Sequence, residues 1–106
     1  SIVGLVGDSG QGHIIAEARF LKEKNRPWAE VAFIVDEAYQ GIGGATYLYK
    51  MLIRLAKDRG IQGFTADVLA TNKAMMKVFE KGGEPVSAKL DHGVYHLTIP
   101  LTDHGK

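Results

Sequence analysis

The chain has no cysteine. Disulfides, a thiolate nucleophile and cysteine-ligated zinc are therefore excluded from these residues, and the composition suits a reducing compartment, with the cytoplasm as the expected location. The sequence also lacks an apolar run long enough to cross a bilayer, which takes about 20 residues in a helix. Its opening, SIVGLVGDSG, has neither the basic segment nor the apolar length of a secretory signal. It starts at Ser1 rather than methionine, which suggests a cut or processed N-terminus. Excess charge of one sign is missing too: 13 basic and 12 acidic residues give a formal charge of +1, with no lysine or arginine block. Neither nucleic acid nor a membrane is then an expected partner, and any anionic ligand must be held by local structure.

What is present is the pattern of one small mixed domain, residues 1–106. Residues 2–6 form a β-rich run, closed by Gly7-Asp8-Ser9-Gly10, which reads as hairpin punctuation. Residues 13–21 alternate, with Ile14, Ala16, Ala18 and Phe20 on one side and His13, Glu17 and Arg19 on the other, as in a half-buried strand. A charged turn leads to a third strand at 28–35, so the chain begins as an antiparallel meander. The period then changes. Leu48, Met51, Leu52, Leu55 and Ala56 fall three and four apart, predicting a helix over about 43–59 that stops at Gly60. Residues 63–70 alternate again, Thr71 or Asn72 can cap a second helix with the stripe Met75, Val78 and Phe79, and Gly82-Gly83 ends it. Residues 86–90 and 94–99, split by Asp91-His92-Gly93, predict a closing hairpin. The predicted order is β-β-β-α-β-α-β-β, an α/β (α+β) fold with a mixed, mostly antiparallel sheet whose first helix crosses between strands three and four.

Gly41, Gly43 and Gly44 crowd the mouth of the first helix. A helix N-terminus carries a partial positive charge, and glycines there let an anion such as phosphate approach the backbone. A Walker loop would need Gly-Lys-Ser/Thr, whereas Gly43-Gly44 leads into Ala45-Thr46 with no lysine before Lys50. A dinucleotide fingerprint would use Gly41 and Gly43 but meets Thr46 in its third place, and the antiparallel start speaks against it. A third pattern, Gln/Arg-x-x-Gly-x-Gly/Ala, is met by Gln40, Gly43 and Ala45.

With that loop, the strand WAEVAFIV at 28–35 and the asparagine-led segment NKAMMKVFEK at 72–81, the chain resembles the GCN5-related N-acetyltransferase (GNAT) superfamily. Within it, the likeness is greatest to bacterial protein-lysine acetyltransferase domains. The resemblance implies acetyl-CoA as co-substrate, no metal, and transfer of acetyl to an amine, either a protein lysine or a small amine. It implies that Gln40, Gly41, Ile42, Gly43, Gly44, Ala45 and Thr46 hold the pyrophosphate through backbone N–H groups. It also implies that Phe33, Ile34 and Val35 offer backbone groups to the pantetheine arm and acetyl carbonyl. It places Glu30 where family members with this Ala-Glu pattern carry the general base, the plain alternative being an outward residue of an alternating strand. Asp67 is the second candidate base, with a solvated strand position as its plain alternative. Asn72 contacts the cofactor arm or only caps a helix. Phe79 stands where many relatives carry a tyrosine that protonates the departing thiolate, so the thiolate leaves unaided or another group serves. The four histidines have no metal-binding spacing and read as structural or solvated.

Members of this family normally begin with a strand and one or two helices that have no counterpart here. The chain is therefore expected to be a piece of a longer protein, to borrow that wall from a partner as in a homodimer, or to have an acceptor site open to a macromolecule. The alternative to an enzyme is a non-catalytic acyl-CoA-binding module of a larger protein.

Overall fold

The computed structural model describes the backbone of residues 2–9, 12–20, 27–35 and 43–101, and the side chains of Arg19, 27–33 and 44–101. Its elements are β1 (Ile2–Ser9), β2 (Gly12–Phe20), β3 (Trp28–Val35), α1 (Gly43–Asp58), β4 (Gly63–Leu69), α2 (Lys73–Glu80), β5 (Ser87–Asp91) and β6 (Val94–Pro100). This is the order predicted from the spacing of apolar residues. The strands form one sheet in the order β1-β2-β3-β4-β6-β5. Neighbours are antiparallel except β3 and β4, which are parallel and joined by α1, the crossover such a pair requires. β1 runs further than its own residues indicate: pairing with β2 continues to Ser9 opposite Gly12, so Gly7 and Asp8 are ladder residues rather than turn residues. A long β2 partner outweighs the weak strand preference of glycine and aspartate.

The buried apolar side chains of the strands share one face: Ala29 and Val31 of β3, Phe64, Ala66 and Val68 of β4, and Leu97 and Ile99 of β6. α1 and α2 close over that face, α2 through Val78 and Phe79. Glu30, Ala32, Asp67, Leu69, His96 and Thr98 project from the other face and are all exposed.

The buried stripe of α1 is Ala45, Leu48, Tyr49, Leu52, Ile53 and Ala56. It is rotated from the predicted one, since Met51 is exposed and Leu55 only half-buried. Both stripes satisfy helical spacing, and aromatic packing decides between them. The Tyr49 ring meets Phe79 edge-on at 4.9 Å, Phe33 edge-on at 6.0 Å and Phe64 at 6.4 Å between centroids. Gly82 makes room for it, because a Cβ there would lie 2.1 Å from Cε2 of Tyr49. Lys57, near the end of α1, bonds Glu84 at 2.8 Å and ties the helix to the loop after α2. At the hairpin between β5 and β6, His92 and Gly93 both adopt positive φ (51° and 80°), as a two-residue type I′ turn demands.

The Tyr49 hydroxyl is buried without a hydrogen-bond partner among the described residues. Burial, reinforced by the charge of Glu84, pushes its phenol well above the usual range, so it stays neutral. Tyr49→Phe is therefore expected to raise stability by about 1 kcal/mol in urea unfolding, and a loss would mean the hydroxyl is bonded after all. Gly82→Ala, which drives a methyl into that ring, is expected to cost about 1–3 kcal/mol in the same measurement.

Candidate active site

Three residue pairs join β3 to β4: Trp28 with Gly63, Ala29 with Phe64, and Glu30 with Thr65. Past them the strands part, β3 staying with β2 as far as Val35 and β4 with β6 as far as Leu69. The edge of β3 over residues 31–35 thus presents its peptide groups to a cleft instead of a ladder. The cleft measures about 200 Å³. One wall is Val31, Ala32 and Phe33, the other Asp67, Val68 and Leu69, and Asn72, Met75 and Phe79 close the α2 side. Successive strand residues point to opposite faces, so this lining belongs to both faces and the cleft passes through the sheet. It opens toward the C-terminal ends of the parallel strands, which is where open α/β sheets bind ligands. A larger depression of about 450 Å³ lies at the far end of α1, around Arg54, Asp58 and Gln62. It brings together none of the candidate site residues named from the sequence.

Several sequence-predicted residues meet at the cleft. Glu30 sits at its vertex on the open face, exposed and in register with Arg19 of β2. Asp67 stands on the β4 wall on the same face. Asn72 is the N-cap of α2, its Oδ1 accepting from the Met75 N–H at 3.1 Å, and it also lines the cleft. The cap is formed, and its place in the cleft lining leaves Asn72 beside the space in which a cofactor arm is proposed to lie. Phe33 turns its ring inward, 5.6 Å edge-on from Phe79, while the backbone of Ile34 and Val35 pairs with Ile15 and Ile14 of β2. Phe79 is buried and serves as a wall.

Gly43, Gly44, Ala45 and Thr46 form the first turn of α1, which contains no acidic residue. Thr46 Oγ1 is buried with no hydrogen-bond partner among the described residues. Gln40, Gly41 and Ile42 lie outside the described residues. Among the described residues no cluster of His, Asp and Glu could hold a metal ion, and no helix is long and apolar enough to cross a membrane.

One neighbour was missed. His96 of β6 sits opposite Asp67 and bonds its Oδ1 through Nδ1 at 2.7 Å. The pair is 29 residues apart in sequence, and only the register of β4 with β6 brings it together.

Residues 2–83 match the acetyltransferase (GNAT) family. Over 104 residues the chain is 42% identical to acetyltransferase Pat of Mycolicibacterium smegmatis, covering 95% of this chain and 31% of Pat. The crystal structure of the GNAT domain of S. lividans PAT superposes with a TM-score of 0.74 at 32% identity, covering 94% of this chain and 61% of that one. The structure of yncA from Salmonella typhimurium with its cofactor acetyl-CoA superposes with a TM-score of 0.70 at 21% identity, a likeness of fold, covering 88% of this chain and 60% of that one. The chain thus spans under a third of Pat and under two thirds of each solved chain. With the family match taking in both helices, the meander and the cleft between β3 and β4, the chain belongs to the acetyltransferase (GNAT) family.

Proposed function

We propose that residues 1–106 act as a single acetyltransferase domain that uses acetyl-CoA to acetylate a primary amine by direct attack on the thioester. Lysine side chains of proteins are the leading acceptor, and the cytoplasm is the site of action. The observation that carries this proposal is the parting of β3 from β4 after three pairs, which leaves a cleft between the two strands, closed on one side by α2. The 42% identity to acetyltransferase Pat and the acetyl-CoA bound by yncA support it.

The residues present suit this cofactor. The first turn of α1 lacks acidic groups and leaves Thr46 Oγ1 buried and unpartnered among the described residues, an acceptable setting for a diphosphate at the positive end of a helix. Gln40, Gly41, Ile42, Gly43, Gly44, Ala45 and Thr46 are proposed to hold that diphosphate. The backbone of Phe33, Ile34 and Val35, with Asn72, would hold the arm in the cleft. When bound, acetyl-CoA supplies an activated carbonyl carbon. The rings of Phe33 and Phe79 back the cleft on the helix side.

Glu30 is proposed to remove the acceptor's proton. The need is large, since an ordinary lysine is unprotonated in only roughly 1 molecule in 2,500 at pH 7. A carboxylate at the cleft's vertex stands where an amine arriving from the open face would pass.

Three measurements follow. Calorimetry should find acetyl-CoA binding abolished by Gly43→Glu. A glutamate suits a helix N-terminus, so the fold should survive, and unchanged affinity would refute the loop assignment. Thiol release with lysine peptides and polyamines should fall about 100-fold in Glu30→Gln at pH 7, recovering at high pH as the acceptor loses its own proton. Acetyl-CoA binding with no acceptor-stimulated release would point instead to a non-catalytic acyl-CoA-binding module. Finally, Asn72→Ala should cost about 1 kcal/mol of stability whereas Asn72→Ser keeps the cap. Weaker acetyl-CoA binding by Asn72→Ser would then isolate the amide's contact with the cofactor.

A further inference from the structure

The open face of the cleft has a chemical character of its own. Its walls there are Ala32 and Leu69, both exposed, and at its edge stand two carboxylates, Glu30 at the vertex and Asp67 on β4. Asp67 lies two residues beyond Thr65, the last β4 residue in register with β3, so it stands about 7 Å further along the strand. An apolar strip with carboxylates beside it fits an ammonium carried on an aliphatic stem. The stem would lie over Leu69, which is 61% exposed with nothing on it among the described residues.

Asp67 already has a partner. His96 of the next strand bonds its Oδ1 through Nδ1 at 2.7 Å, and both side chains are about half exposed, at 49% and 60%. The other charged group in register with His96 is Lys89 of β5. Asp91, two residues along β5, lies on the same face. A protonated imidazole would hold the Asp67 carboxylate as an ion pair, whereas a neutral one is only a hydrogen-bond partner and leaves the negative charge uncompensated.

Building on the transferase proposal, we propose that Asp67 holds the cationic tip of an acceptor with an aliphatic stem, and that His96, through its protonation, governs whether that carboxylate is available. His96 is thus a positioning residue: it acts through Asp67 and need not touch the acceptor. The sign follows from competition for one carboxylate. Imidazolium and acceptor ammonium both need Asp67, so lowering the pH weakens acceptor binding. By reciprocity, acceptor binding must make His96 harder to protonate. The effect is bounded by the half-exposed setting, in which an ion pair changes an affinity by about three- to fivefold.

The hairpin supplies an internal control. His92 bonds Asp91 at 2.5 Å in the turn between β5 and β6, the same pairing of groups with neither residue lining the cleft between β3 and β4. The experiment is an NMR titration of both imidazoles in the presence of coenzyme A, with and without Nα-acetyl-lysine amide as the probe amine. The amine is expected to move the His96 midpoint to lower pH and to leave His92 unmoved, and Asp67→Asn to abolish the movement. A His96 midpoint indifferent to saturating amine, or one that moves together with His92, overturns the proposal. Kinetics supplies the second arm. The KM for the amine should rise about three- to fivefold as pH falls through the His96 midpoint, in wild type and His92→Gln but not in His96→Gln, with kcat following one profile in all three. A KM profile unaltered by His96→Gln overturns the proposal while leaving the transferase reading intact. A wild type that releases no thiol with any amine, yet shows the His96 movement, overturns the transferase reading while the amine site stands.

Discussion

Only three residue pairs hold β3 to β4, and the proposed chemistry depends on the ladder stopping there. A parallel pair of strands normally runs on, because each peptide group released from a ladder must find another partner. Here each strand keeps a full partner on its outer side, β3 with β2 and β4 with β6, so the sheet splits without either half losing support. The split is propped from the helix side. Phe79 of α2 and Tyr49 of α1 pack edge-on at 4.9 Å, and Phe33 of β3 rests against both. The aromatic cluster that forms the core therefore also forms one wall of the cleft, and stability and site geometry share the same residues.

The two faces of the split differ in the charge they favour. On the helix face, α1 begins without an acidic residue and carries the positive end of its dipole, a setting for an anion. On the open face stand Glu30 and Asp67, a setting for a cation. A net charge of +1 provides no long-range steering of either sign, so discrimination must come from these local groups. The proposed joining of a phosphate-bearing acyl donor to an amine uses this difference, with Glu30 and Asp67 standing among the cations Arg19 and Lys89 on the open face.

Much of this could be read from the residues alone, since alternation marked the strands, three-and-four spacing marked the helices, and glycines marked their ends. What escaped depended on pairings between distant segments. Gly7 and Asp8 belong to a strand because β2 extends past them. Tyr49 outranks Met51 in the core because three phenylalanines from three other elements converge on it. Glu30, Asp67 and Asn72 could each be named from local pattern, but that Asp67 and Asn72 line one cleft, with Glu30 in the last strand pair before it, required the register of β3 with β4. The partnership of His96 with Asp67 had no sequence signal, because it arises from a ladder between strands far apart in the chain.

The central claim is that the cleft beyond Glu30 receives the acyl donor, and backbone NMR on titration with acetyl-CoA tests it most directly. The account predicts that amide signals of residues 31–35 and of the first turn of α1 move together while those of β5 stay still. Signals that move instead around Arg54, Asp58 and Gln62, at the other end of α1, with 31–35 unchanged, would contradict it.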